Sequence, residues 1–101
     1  MSDITDKLPN ASVRFARAAT RHRVSKDRIR HVIANYRVRF EEPPPAGREG
    51  VPDTRLVFLG EDPQGEPLEV MAIQLPNGGL LVIHAMSLRN KYRQRYEEAK
   101  Q

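Results

Sequence analysis

The chain has 101 residues and no cysteine, with 17 Lys plus Arg against 13 Asp plus Glu for a formal charge of +4. That length suits one small domain and is too short for two, and the lack of cysteine excludes a disulfide framework or a thiolate metal site. No apolar run reaches membrane-spanning length, and the opening residues carry Asp3 and Asp6 rather than a signal-peptide core, so a cytoplasmic protein with no membrane partner is expected.

Residues 1–10 are polar, end in Pro9 and Asn10, and read as a flexible leader; 11–101 read as a single α+β domain. From Ser12 to about Arg21, Val13, Phe15, Ala16 and Ala19 suit a first helix with its arginines in solvent. Ser25 is placed to cap a second helix through about Asn35, with Ile29, Val32, Ile33 and Tyr36 as its apolar stripe. Tyr36, Val38 and Phe40 then alternate with Arg37, Arg39 and Glu41, the period-two pattern of a half-buried strand at a sheet edge. Glu42 to Asp53, with Pro43, Pro44, Pro45, Gly47 and Gly50 among its residues, cannot continue that strand and reads as a loop.

Three apolar runs follow: Thr54 to Gly60, Leu68 to Leu75 and Leu80 to Met86. Turn-forming segments at Glu61–Glu66 and Pro76–Gly79 separate them, which predicts an antiparallel meander. The last two runs are apolar at nearly every position, so both faces of those strands should be covered. Ser87 is placed to cap a final helix to about Lys100, with Leu88, Tyr92, Tyr96 and Ala99 as its stripe. The expected fold is therefore α+β, with two N-terminal helices, an antiparallel four-stranded sheet and a C-terminal helix.

Charge is segregated along the chain. Residues 11–40 carry nine bases and one acid, 41–76 carry eight acids and two bases, and 77–101 are again basic. Such a pattern implies surfaces of opposite sign, one of them suited to phosphates. Arg89 and Lys91 fall at the expected start of the final helix, where bases oppose the helix dipole; beside free backbone N–H groups they suit an anion instead.

His84 ends the last apolar run on the face of Leu80 and Val82, where an imidazole can act as acid or base near neutral pH. A hydrogen-bonded core histidine gives the same pattern. His22 stands between Arg21 and Arg23 in the junction of the first two helices, while Arg37 and Arg39 project from one face of the edge strand. With Lys91, these make Arg21, His22, Arg37 and Arg39 the candidate RNA contacts, tyrosines at the margin offering a stacking surface. No zinc, EF-hand or P-loop spacing occurs, so neither metal nor cofactor is expected.

Three segments in order resemble the BrnT-like toxins of bacterial toxin–antitoxin systems, relatives of the RelE-type ribonucleases. They are Arg21-His22-Arg23-Val24-Ser25, Asp53-Thr54-Arg55-Leu56-Val57-Phe58-Leu59-Gly60, and Leu81-Val82-Ile83-His84-Ala85-Met86 leading into a basic segment with Lys91, Arg93 and Tyr96. The resemblance covers roughly residues 16–100. The chain departs from it at Arg23, where the family has glycine, and at Met86-Ser87-Leu88, where the family commonly has arginine directly after the last strand.

What the resemblance implies is a metal-independent endoribonuclease that inhibits translation, acts on RNA with or without the ribosome, and is neutralised by a cognate antitoxin protein. Arg55 matches a family active-site arginine, and Arg89 and Arg93 join it as sources of positive charge, with His84 for proton transfer. Two other readings fit the composition: a non-catalytic RNA- or DNA-binding module, for which the basic segments suffice, and a protein-interaction module presenting the acidic middle block.

Overall fold

The protein is described by a computed structural model at residues 12–43 and 55–101; the expected leader and all but the start of the proline-rich loop lie outside the described residues. The elements are β1 (Val13–Phe15), α1 (Lys26–Ala34), β2 (Val38–Glu42), β3 (Arg55–Glu61), β4 (Pro67–Gln74), β5 (Leu80–Ser87) and α2 (Arg93–Ala99), with 3-10 turns at Arg17–Thr20 and Asn90–Tyr92. The strands form one five-stranded sheet in the order β1-β5-β4-β3-β2. β1 runs parallel to β5 and every other neighbouring pair is antiparallel.

Two N-terminal helices and a four-stranded antiparallel sheet were expected; the described residues instead have one α-helix before β2, and a mixed five-stranded sheet. Val13 and Phe15 flank an exposed Arg14, a period of two rather than the helical period, and they pair with Leu80 and Val82. The short segment is captured by the open edge of β5, a long-range partner that local pattern does not reveal. Gly79 permits the approach: a Cβ there would lie 2.6 Å from the Ser12 carbonyl oxygen. Only a 3-10 turn follows β1, held by Ala16 donating its N–H to the Val82 carbonyl.

α1 forms where Ser25 caps it, its hydroxyl accepting from the Arg28 N–H at 3.2 Å. Ile29, Val32 and Ile33 are buried against Leu56, Phe58, Leu68, Val70 and Val82 on one face of the sheet. Tyr36, expected to extend that stripe, is exposed and sets its ring edge-to-face against Phe58. On the opposite face Val57, Leu59 and Met71 lie under Leu88, Tyr92 and Tyr96. β3 and β4 are thus covered on both sides, and each large apolar side chain so buried contributes about 1.5–3 kcal/mol.

The end of β5 differs from expectation. Ser87 does not cap a helix; it closes the strand and donates its hydroxyl to Glu66, while Leu88 donates its N–H to the Pro67 carbonyl. The hairpin bonds extend the strand, so α2 begins only at Arg93, and Arg89 and Lys91 precede it. The expected anion site at a helix start is therefore absent from this segment, because the Arg89 N–H already serves Glu69. Among the described residues, no helix is long and apolar enough to cross a membrane.

Candidate active site

Residues that alternate along β3 and β4 place Val57, Leu59, Glu69 and Met71 on the α2 side of the sheet. Strict alternation along β5 would put His84 with Leu80 and Val82 on the α1 side, as expected from sequence. Between Met71 and Ala72 the register with β5 shifts: Met71 pairs with His84 but Ala72 with Val82, leaving Ile83 as an extra residue. This bulge turns His84 onto the face of Glu69, and bulges serve to re-aim side chains in this way.

Glu69 has 0 % exposure, and burying a carboxylate costs several kcal/mol unless partners satisfy it. Here the partners are dense. Oε2 accepts from His84 Nε2 at 3.0 Å and from Arg89 Nε at 2.7 Å, with Arg89 Nη2 at 2.6 Å, while Oε1 accepts from the Arg89 backbone N–H at 2.8 Å. Burial is the largest single influence on Glu69 and pushes its pKa up. The bonds from His84 and Arg89, with the charge of Arg89, outweigh it and hold the carboxyl below the usual range. The same pairing raises the pKa of Arg89, so this arginine stays charged.

An ionised carboxylate can only accept, so His84 Nε2 carries the proton in this bond. In the neutral imidazole Nδ1 is then the unprotonated atom, the tautomer a base needs. The exposed ring of His22 stands edge-on to His84, with centroids 5.7 Å apart and planes at 69°. β1 covers β5 only as far as Val82, and the 3-10 turn packs beside β5; the Arg21–Arg23 turn carrying His22 follows it. Arg23 in that turn has φ 66°, a left-handed conformation that glycine adopts without strain.

Tyr92 borders the cluster. Its hydroxyl donates to the Glu42 carboxylate at 3.0–3.1 Å, and Arg89 and Lys91 both lie over its ring. Burial first, then the Glu42 bond, push its pKa up to about 12, so the phenol stays protonated. Arg55 is the register partner of Glu42 and shares the face of Val57. Its partner on β4 is Ile73, four residues from Glu69, or about 13 Å along a strand.

The sequence-derived candidates therefore separate. His84 and Arg89 meet on Glu69, His22 stands beside them, and Lys91 lies at the margin over Tyr92. Arg55 occupies the same face at a distance. Arg21 is exposed in the His22 turn. Arg93 is exposed on α2 and pairs with Glu97 at 3.7 Å. Arg37 and Arg39 do not share a face: Arg37 lies before β2 and donates to Glu61 at 2.6 Å, whereas Arg39 is exposed on the α1 side, opposite Val38 and Phe40. The Tyr96 hydroxyl donates to the same Glu61, closing a clamp remote from His84 in the register.

Glu69 was not among the expected site residues. Its signal was a single carboxylate inside an apolar run, Leu68-Glu69-Val70-Met71, that both faces of the sheet would bury. Among the described residues no group of three or more His, Cys, Asp or Glu side chains is arranged to hold a metal ion. No protein-family model matches the chain, and no match was found among curated proteins or among solved structures.

Proposed function

We propose that this protein is a toxin-like, metal-independent endoribonuclease that inhibits translation in the cytoplasm and is neutralised by a cognate antitoxin. The observation that carries the reading is Glu69, fully buried and gripping both His84 and Arg89. A buried ion cluster is seldom a gain over a well-packed apolar core. An orienting carboxylate behind a histidine and an arginine, by contrast, fixes the tautomer and the charge that acid–base chemistry on a phosphodiester uses.

The parts have distinct tasks. His84, fixed in one tautomer, takes a proton; Arg89, whose guanidinium is partly exposed, offers its remaining N–H groups to charge building on the phosphoryl oxygens. Glu69 is a positioning residue that acts through both. Lys91 and Arg21 extend positive charge to either side for neighbouring phosphates, and Arg55 lies on the same face for the more distant ones.

Tightly induced expression in a bacterial host tests this. The wild-type chain should arrest growth and fragment cellular RNA, and His84→Ala and Arg89→Ala, present at equal soluble level, should do neither. Normal growth with intact RNA under the wild-type chain would overturn it. A second reading, nucleic-acid binding without cleavage, is favoured by the exposed Arg14, Arg17, Arg21, Arg23 and Lys26, which precede α1 or open it with no acid between them. It predicts strongly salt-dependent RNA binding that His84→Ala leaves unchanged.

A further inference from the structure

We infer that His22 is a second catalytic residue, the general acid opposite His84, which protonates the leaving 5′-oxygen when the RNA's own 2′-hydroxyl attacks the phosphorus. This rests on the ribonuclease reading of the same site and adds the source of the leaving-group proton to it. Sequence alone placed His22 only among RNA contacts.

The geometry argues for a pair with divided tasks. The two rings lie 5.7 Å apart, on different segments, with nothing in local sequence to bring them together. An imidazole serves an oxygen within about 2.6–3.2 Å of its nitrogen, so rings at this spacing reach the attacking and leaving oxygens of one phosphorus. Their surroundings differ. His84 is held by Glu69, which fixes Nε2–H and leaves Nδ1 to accept. His22 is exposed and makes no hydrogen bond to any other described residue, so its ring nitrogens are open to a substrate oxygen.

In the step that follows, Nδ1 of His84 removes the 2′-hydroxyl proton as O2′ bonds to phosphorus. The P–O5′ bond breaks, its electron pair passes to O5′, and the His22 imidazolium gives that oxygen its proton. Arg89 faces the charge on the non-bridging oxygens throughout. The two imidazoles finish with exchanged protonation states, which exchange with water resets. A substrate lacking the 2′-hydroxyl cannot enter this path, so DNA is not cleaved.

The test uses the purified full chain, with and without ribosomes, on two pools of short oligoribonucleotides randomised around one central linkage. In one pool that linkage is ordinary; in the other, sulfur replaces its bridging O5′. A thiolate leaves without protonation, so it bypasses a general acid and still needs the base. His22→Ala should lower central cleavage of the ordinary pool by about 10²–10⁴-fold and recover most of the loss on the sulfur pool, while His84→Ala stays low on both. Equal losses on both pools for His22→Ala, or no loss, would overturn the assignment while leaving the ribonuclease reading in place. No cleavage of either pool by the wild type overturns both.

Discussion

Glu69 is the residue on which the site turns, because a fully buried carboxylate has no solvent to fall back on when a partner is removed. Glu69→Gln keeps the shape but loses the charge that Arg89 faces; Arg89 is partly exposed and regains some water. The expected cost is therefore about 2–3 kcal/mol, read as a lowered urea midpoint, together with a fall in RNA cleavage. Arg23 predicts the opposite direction. Its left-handed backbone is released by Arg23→Gly, which should leave stability unchanged or raise it by up to about 1 kcal/mol in urea unfolding. The types of His22, His84 and Arg89 are legible in the sequence as candidates, because histidines number only three and basic residues cluster around them. Their assembly was hidden, since it depends on the extra residue Ile83, and Val82-Ile83-His84 carries no glycine or proline to mark a bulge.

At the scale of elements, α1 and strands β2 to β5 follow from local pattern: a Ser25 cap, a helical apolar stripe, and apolar runs separated by turn residues. β1 does not, because one alternation over three residues sits inside a longer stretch that also fits a helix, and its partner lies on β5, far along the chain. Nor does the start of α2, where Ser87 has the chemistry of a cap but bonds Glu66 across the hairpin instead. These long-range bonds decided both departures. Gly79 tests the first of them directly. Gly79→Ala drives a methyl group against the Ser12 carbonyl, and should loosen β1 at a cost of about 1–3 kcal/mol. Hydrogen exchange at the Ala16 amide, which bonds Val82, should quicken more than exchange within β3 and β4.

For the whole molecule, the buried charges set the pH range of stability. Glu61 is held low chiefly by the Arg37 bond; in Asp62 and Glu69 burial pushes upward but the bonds they accept outweigh it. Each depressed carboxylate contributes stability that is present above its unfolded pKa, ordinarily 3.8 for Asp62 and 4.5 for Glu61 and Glu69, and lost as pH falls through the lower folded value. Tyr92 and Tyr96 shift the other way, from 10.0 to about 12, with burial the first cause in both. Their contribution is full below pH 10.0 and lost as pH rises toward about 12. Urea midpoints should therefore stay level between these limits and fall on both sides, the alkaline fall tracking tyrosinate absorbance; a midpoint that declined steadily from neutral pH upward would contradict this assignment. The account as a whole stands on chemistry at His84 supported by Glu69. Its most direct test is cleavage of a random-sequence oligoribonucleotide pool, with and without ribosomes, by the purified chain beside His84→Ala and Glu69→Gln, each checked for retained fold by circular dichroism. The account predicts cleavage by the wild type, leaving 2′,3′-cyclic phosphate ends, and near-complete loss in both variants; cleavage unchanged by His84→Ala, or no cleavage by the wild type, would contradict it.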